Sequence, residues 1–320
     1  MCQKTDWPRH RVQCQPLQAQ RNKAKEKKVL QPPLGVTEEA MIMKRDRNFT
    51  SARVIKPNPI IQIQDKQIEN SPAAKRIKSE DIPVYFANFQ FYSTGQENKY
   101  LFIVFPGELT DAKDYVKYIQ SINIQNCCYL VLQPPQELPF HSGWSWFPMF
   151  DGNSDLITPS EGDNKRLAGL TRTRKWVIRL LQNLIQQYQW VEENVFLIGF
   201  SQGAATAIDL VFHSGLTKSL GGVLCISDSI LDEALFQNFV EAYPEKSETP
   251  LPPVLITHGE KDHRVPIQVA KDKAMKLQEL YAEHGSKSTI SLESFEKGHQ
   301  MVASKAELSA IIQFFMKNMK

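Results

Sequence analysis

Apolar runs of strand length recur along the chain from Ile82 to near its end. The runs are Val84–Tyr92, Tyr100–Phe105, Cys127–Leu132, Asn194–Gly199, Gly221–Ile226, Pro253–Thr257 and Thr289–Phe295. Most of them are apolar throughout instead of alternating with polar residues, which is typical of strands buried on both faces of a parallel sheet. The pattern therefore predicts a sheet that is covered on both sides.

Segments between these runs have apolar residues at helical spacing. Apolar positions recur at helical spacing between Leu170 and Tyr188, and at steps of three and four between Ile267 and Tyr281. Gly285 is a natural end for the second helix, and a last helix opens with the capping box Ser304-x-x-Glu307. Strands that alternate with helices favour one α/β domain, with a mostly parallel sheet and helices on both faces.

Charge and composition change where this domain begins. Residues 1–81 contain 17 Lys and Arg against 9 Asp and Glu, whereas the rest of the chain contains 21 against 26. Residues 15–81 are rich in charge, are interrupted by prolines and have few apolar positions, so we predict a disordered basic linker there. The predicted organisation is a short N-terminal segment at 1–14, the linker at 15–81 and the α/β domain at 82–320.

The chain also lacks the usual signals for membrane insertion or export. No stretch reaches the roughly 18 consecutive apolar residues of a membrane-spanning helix, and the first thirty residues contain no apolar core of a secretory signal. Cys127, Cys128 and Cys225 lie inside apolar runs, where a buried reduced thiol is the expected state. We therefore expect a cytoplasmic protein without transmembrane segments.

The strongest chemical signal is Gly199-Phe-Ser201-Gln-Gly203, which follows an apolar strand and precedes a small-residue helix start. A serine in a Gly-x-Ser-x-Gly turn between strand and helix projects its hydroxyl from the edge of the sheet. The positive end of the following helix favours negative charge that develops beside it. Ser201 is therefore the candidate nucleophile.

A serine hydroxyl needs a neighbouring base to remove its proton. Asp262 and His299 each follow a predicted strand, and they come after Ser201 in the chain order acid, then base. We predict that His299 is the general base and that Asp262 orients its ring. Glu260 and Asp228 remain alternatives for the acid. His258 precedes the candidate acid in its turn, and we expect it to have a structural hydrogen-bonding role.

These motifs resemble the acyl-protein thioesterase/lysophospholipase-like carboxylesterase family of α/β-hydrolases. The segments that carry the resemblance are Gly199–Gly203, His258-Gly-x-x-Asp262-x-x-Val265-Pro266, Gly298-His299 and Ser145-Trp-Phe147. The resemblance implies an α/β-hydrolase fold and a serine esterase that uses no metal and no cofactor. It also implies that the substrate is an acylated small molecule, a lysophospholipid or a lipidated protein; the oligomeric state stays open.

One position departs from the pattern of that family. The family usually carries His-Gly, an apolar residue and Gly-Asp after its first core strand, whereas this chain has Pro106-Gly-Glu108-Leu-Thr. By the resemblance, the backbone N–H groups of Glu108 and Gln202 would form the oxyanion hole. A carboxylate pointing inward would disfavour the oxyanion, and one pointing to solvent would not. A catalytically weak or inactive binding module is therefore the alternative function, and a peptidase of the same fold is a weaker one.

An aromatic segment between the third strand and the long helix is a candidate substrate site. Trp144, Trp146 and Phe147 could form apolar walls for an acyl chain, which are typical of small-molecule sites. His141 could also line such a pocket. The alternative is a loop that packs on the domain's own core.

The N-terminal tail at 1–81, which comprises the short segment and the linker, has two further motifs. Cys2, His10 and Cys14 resemble the closing half of a MYND zinc finger, but a structural zinc needs four ligands. We therefore read an incomplete zinc site and expect no bound metal. Lys75, Arg76 and Lys78 resemble a nuclear import signal, with a solvated charge run as the alternative. Aromatic residues are nearly absent from the tail at 1–81, so we expect no nucleic-acid partner.

Overall fold

A computed structural model describes residues 90–320 apart from 95–97, 123, 139–142, 152, 154, 160–164 and 236–249. The predicted linker, the incomplete zinc site and the basic cluster all lie outside the described residues and stay predictions. His141 also lies outside them. Within the described part of the chain, no helix is long and apolar enough to cross a membrane.

The centre of the domain is a seven-stranded sheet with the order β1-β3-β2-β6-β7-β8-β9. Its strands are β1 (Gln90–Ser93), β2 (Tyr100–Phe105), β3 (Cys127–Val131), β6 (Val195–Phe200), β7 (Gly222–Ile226), β8 (Val254–Gly259) and β9 (Ile290–Phe295). Strand β1 runs antiparallel to β3, and the other neighbouring strands are parallel. Strands β4 (Gln136–Glu137) and β5 (Trp144–Ser145) form a separate antiparallel pair.

The described residues form five α-helices between and after the strands, and four of them lie where the sequence pattern predicts a helix. The five helices are α1 (Ala112–Ile122), α2 (Lys165–Gln186), α3 (Gln202–His213), α4 (Ile267–Glu283) and α5 (Lys305–Asn318). Gly285 ends α4 with a φ of 66°, a conformation that glycine adopts without strain. At the start of α5, the Ser304 hydroxyl accepts the Glu307 N–H, as the capping box predicts. Helix α1 was not predicted.

Side chains of β2 show how the sheet separates two cores. Leu101, Ile103 and Phe105 point into a core shared with α2, α3 and α4. Phe102 and Val104 point the other way, into a core with α1 and α5. Because both faces of the central strands are buried, β2, β3, β6, β7 and β8 are nearly continuous apolar runs. The predicted α/β-hydrolase fold is confirmed for the described residues. The carboxyl ends of the parallel strands meet at one edge, which carries the candidate site.

Candidate active site

The turn after β6 places Ser201 in a strained backbone conformation at the edge of the sheet. Its φ is 52° and its ψ is −121°, a region that few non-glycine residues occupy. The chain can make this turn because its two flanking glycines allow close backbone approach. A Cβ on Gly199 would lie 2.4 Å from the Ala204 Cα, and one on Gly203 would lie 2.0 Å from the Phe105 carbonyl oxygen. This is the local geometry of a nucleophile elbow.

The loops after β8 and β9 bring two further predicted residues to Ser201. His299 Nε2 lies 2.8 Å from Ser201 Oγ, and His299 Nδ1 lies 2.8 Å from Asp262 Oδ2. An ionised carboxylate only accepts hydrogen bonds, so Nδ1 carries a proton in this pair. In the neutral ring Nε2 is then an acceptor, aimed at the serine hydroxyl. Ser201 and Asp262 precede His299 by 98 and 37 positions, and the three side chains thus form one continuous hydrogen-bonded chain.

Asp262 is held as a carboxylate by its own loop. Its Oδ1 accepts the backbone N–H groups of Arg264 and Val265, both at 2.9 Å. Burial on its own would raise the pKa of Asp262, but the hydrogen bonds from His299 and from these backbone groups outweigh it, so the pKa lies below its ordinary value. His258, which is fully buried, braces the same loop through Nε2 on the Val265 carbonyl oxygen at 2.8 Å.

The two alternative acids have other partners. Asp228 Oδ1 accepts a hydrogen bond from the buried Lys273 Nζ at 2.6 Å. Glu260 accepts one from the Ser294 hydroxyl at 3.0 Å. The carboxylate that contacts the His299 ring is that of Asp262, so the geometry favours Asp262 over both alternatives.

A buried ion pair supports the loop that carries His299, and the sequence reasoning missed it. Lys297 Nζ donates to Glu307 Oε1 at 2.5 Å and to the Gln300 carbonyl oxygen at 3.1 Å. Glu307 Oε2 accepts the Ala303 N–H at 3.0 Å, so the ion pair joins both sides of the loop to α5. Both side chains are almost completely buried. The only signal in the sequence was a lysine directly before Gly298, together with a Glu307 already explained as a capping residue.

Glu108 points into the site and not to solvent. Its side chain is 4% exposed, and Oε2 lies 3.2 Å from Ser201 Oγ. Oε1 accepts a hydrogen bond from the Arg264 guanidinium. Burial would raise the pKa of Glu108, but the Arg264 charge, the residue's own backbone N–H and His299 together hold that pKa below its ordinary value. The carboxylate is therefore ionised beside the candidate nucleophile.

Gln202, the other expected oxyanion donor, has its side chain turned away from the nucleophile. Its Oε1 accepts the Trp146 N–H at 2.7 Å, and its Nε2 donates to the Phe147 carbonyl oxygen at 3.1 Å. The residue begins α3, so its backbone N–H is among those at the helix N-terminus that make no bond within the helix. The side chain thus locks the aromatic segment against the nucleophile turn, and the backbone group remains the candidate donor.

The aromatic segment packs mainly on the domain itself. Trp146 is fully buried and its Nε1 donates to the Pro106 carbonyl oxygen at 2.7 Å, while Phe147 is 2% exposed in the core. Trp146 thus braces the loop of Glu108, and the burial of both residues does not support a direct contact with substrate. Trp144 is half-buried, and its carbonyl oxygen accepts the Leu109 N–H at 2.9 Å. A substrate contact by Trp144 stays a prediction.

Curated relatives share part of the domain. An uncharacterized hydrolase of Mycosarcoma maydis is 30% identical over 106 residues, which is 32% of this chain and 37% of that protein. Acyl-protein thioesterase 1 of Gibberella zeae is 30% identical over 138 residues, 43% of this chain and 54% of that protein. The chain therefore matches about half or less of the length of these relatives.

Known structures and families extend the comparison to the whole domain. The crystal structure of esterase PE8 has a TM-score of 0.56 and 21% identity, and the alignment covers 72% of this chain and 98% of that one. At this identity the likeness concerns the fold. Residues 108–318 match the phospholipase/carboxylesterase family, a span that includes Ser201, Asp262 and His299. Since that match covers well over half of the sequence, the chain belongs to the phospholipase/carboxylesterase family of hydrolases.

Proposed function

We propose that the protein is a serine hydrolase that cleaves carboxylic esters or thioesters with an apolar acyl group. The observation that carries this proposal is the continuous hydrogen-bonded chain from Asp262 through His299 to Ser201. It lies on the expected fold, at the sheet edge where the nucleophile elbow exposes its serine. The active residues come from three separate loops, which is the arrangement expected when a fold supports a catalytic triad.

Each residue has a defined role in the proposed reaction. Ser201 Oγ attacks the carbonyl carbon while His299 Nε2 takes its proton, and Asp262 stabilises the imidazolium. The negative oxygen of the tetrahedral intermediate accepts the backbone N–H groups of Gln202 and Glu108. Its collapse breaks the bond from the acyl carbon to oxygen or sulfur, and the leaving group takes the proton from His299. Water then repeats the sequence on the acyl-enzyme and releases the acid.

The substrate class rests on the relatives. The acyl-protein thioesterase 1 of Gibberella zeae is named for action on acylated proteins, and the matched family is described by phospholipase and carboxylesterase activity. An acylated small molecule, a lysophospholipid or a lipidated protein is therefore the proposed substrate, and the cytoplasm is the proposed location.

A chain-length series tests this function. Hydrolysis of 4-nitrophenyl esters from acetate to palmitate, and of matched acyl thioesters, is compared for the wild type and Ser201→Ala. We expect turnover of at least one acyl length to fall by about 10⁴-fold or more in the variant, the usual cost of losing a nucleophile. Equal rates in the two proteins, with unchanged circular dichroism, would contradict the proposal.

A second candidate is a non-catalytic binding module, and the position of Glu108 favours it. A buried anion beside Ser201 opposes the negative charge of the tetrahedral intermediate. Glu108→Leu, which restores an apolar residue, discriminates between the two. Absence of ester turnover in both the wild type and this variant, with folding intact, would favour the binding module.

A further inference from the structure

The Glu108 carboxylate lies beside the Ser201 hydroxyl, in space that the substrate of the proposed reaction needs. The carboxylate contacts the Ser201 hydroxyl at 3.2 Å, and the backbone N–H of Glu108 is one of the two expected oxyanion donors. A reacting carbonyl oxygen must lie about 3 Å from such donors and close to the nucleophile. The carboxylate and the substrate thus compete for the space beside the Ser201 hydroxyl.

Displacing Glu108 also breaks the ion pair that compensates its charge. Oε1 of Glu108 is held by the Arg264 guanidinium, whose side chain is 50% exposed while that of Glu108 is 4% exposed. Arg264 therefore lies at the boundary between the buried site and solvent. Its backbone N–H is fixed on Asp262, so the guanidinium stays anchored near the reacting centre after Glu108 leaves.

The other charges that face this pair do not replace the lost carboxylate. Asp262 is engaged with His299 and with two backbone N–H groups, and the Tyr115 hydroxyl accepts the Gly107 N–H. A neutral substrate that displaces Glu108 breaks the ion pair with Arg264 and offers the guanidinium no new anion, so only water solvates its charge. A substrate with its own anion exchanges one ion pair for another, since guanidinium groups bind carboxylates and phosphates with matched geometry.

We propose that substrate displaces the Glu108 carboxylate from the Ser201 hydroxyl and that Arg264 then binds an anionic group of the substrate, a carboxylate or a phosphate. Arg264 shares its loop with Asp262, which contacts His299, and His299 protonates the leaving group. The anion is therefore placed on the leaving-group side of the scissile bond. Arg264 is thus a specificity-determining residue. The preferred substrates are esters or thioesters whose alcohol or thiol part carries a carboxylate or a phosphate. This inference rests on the hydrolase function proposed above and names its substrate class.

Matched substrate pairs test the charge preference. The carboxylate pair is 3-carboxyphenyl butyrate and its neutral amide analogue, 3-carbamoylphenyl butyrate; the phosphate pair is monobutyrylglycerol phosphate and monobutyrin. We expect kcat/KM of the wild type to favour the anionic member of at least one pair by about threefold to tenfold, the range of a partly exposed ion pair. The pair that shows the larger ratio identifies the anion.

Variants test whether Arg264 causes this ratio of kcat/KM between the anionic and the neutral substrate. Arg264→Ala is expected to abolish it and Arg264→Lys to keep part of it. Lys261→Ala, which removes an exposed cation of the same loop paired with Glu296, is the matched control and should keep the full ratio. A ratio that is absent from the wild type, or unchanged in Arg264→Ala, would overturn the proposal.

A substitution of Glu108 tests the displacement itself. Glu108→Gln keeps the shape of the side chain but removes the charge that pairs with Arg264. Because substrate then has no ion pair to break, kcat/KM for 3-carbamoylphenyl butyrate should rise at least about threefold. An unchanged or lower rate in a variant with wild-type thermal unfolding would contradict displacement.

Binding measurements separate this inference from the proposed function. Calorimetry with the non-hydrolysable N-(3-carboxyphenyl)butanamide and N-(3-carbamoylphenyl)butanamide reports the charge preference of the wild type and of Arg264→Ala without any turnover. If the wild type is no faster than Ser201→Ala, the hydrolase function fails while this titration still decides the role of Arg264. If hydrolysis depends on Ser201 but neither assay depends on Arg264, only the inference fails.

Discussion

The hydroxyl of Ser201 lies 3.2 Å from the carboxylate of Glu108 and 2.8 Å from His299 Nε2. A hydroxyl has one proton to donate, so these two acceptors compete for it. If the proton points to a neutral His299, the serine is ready for attack. If His299 is protonated, its Nε2 donates to the serine and the serine donates to Glu108, an arrangement without a general base. The identity of residue 108 therefore affects the first step of the proposed reaction.

The link between Asp262 and His299 predicts a large loss of activity in Asp262→Asn. The Asn amide can donate a hydrogen bond to Nδ1, which would favour the tautomer with its proton on Nε2 and leave no base for Ser201. We expect kcat for a 4-nitrophenyl ester to fall by about 10⁴-fold, the size of this effect in serine hydrolases with a similar triad.

Glu260→Gln is the matched control for that variant. It neutralises a carboxylate two positions away that contacts Ser294 and not His299, so kcat should change by less than about threefold. Similar losses in both variants would show that charge on the loop, rather than the contact with His299, determines the rate.

The buried ion pair between Lys297 and Glu307 should stabilise the loop that carries His299. Lys297→Met leaves the Glu307 carboxylate buried without its cation, which typically costs about 3–5 kcal/mol of the free energy of unfolding. Urea unfolding measures that loss. Because His299 lies two positions away in the same loop, we also expect kcat to fall more than KM rises.

Two companions make this experiment decisive. Lys261→Met breaks the exposed pair with Glu296 and should not move the unfolding midpoint measurably. Lys297→Met combined with Glu307→Leu should lose less stability than Lys297→Met alone, because no charge is left buried. A double variant less stable than the single one would contradict the assignment of the loss to an unpaired carboxylate.

Acid should reduce the contribution of Asp262 to stability. The pKa of Asp262 is lower in the folded protein than its ordinary value near 3.9. A carboxylate with a lowered pKa stabilises the fold fully above its unfolded pKa, and this contribution is lost as the pH falls through the folded pKa. The difference in unfolding free energy between wild type and Asp262→Asn should therefore be constant from about pH 6 to pH 5 and shrink below about pH 4. A difference that grows on acidification would contradict the lowered pKa.

Much of the fold could be predicted because buried parallel strands leave a local signal. The run Tyr100–Phe105 coincides with β2, and Gly285 ends α4 as predicted. Helix α1 was missed although Tyr115, Ile119 and Ile122 recur at helical spacing, because it is only 11 residues long and its burial comes from β2 and β3 after folding. Such tertiary contacts are not visible in a single short stretch.

The candidate site was predictable only where a residue follows a strand in a recognisable motif. Ser201, Asp262 and His299 do so, and the structure brings them together. The departure at Glu108 was visible in the sequence, but the direction of its carboxylate was not. That direction depends on the contact with Arg264, which lies 156 positions further along the chain. Lys297 was missed for the same reason, since its meaning comes from a contact with α5.

Active-site labelling tests the central claim most directly. A fluorophosphonate reacts with a serine whose hydroxyl is activated by a neighbouring base, and mass spectrometry of the tryptic peptides locates the adduct. We predict one adduct on Ser201 in the wild type, labelling slowed by at least about 10²-fold in His299→Ala, the lower range of general-base catalysis, and none at that peptide in Ser201→Ala. Folded wild-type protein that stays unlabelled at Ser201, or that labels equally fast without His299, would contradict the account.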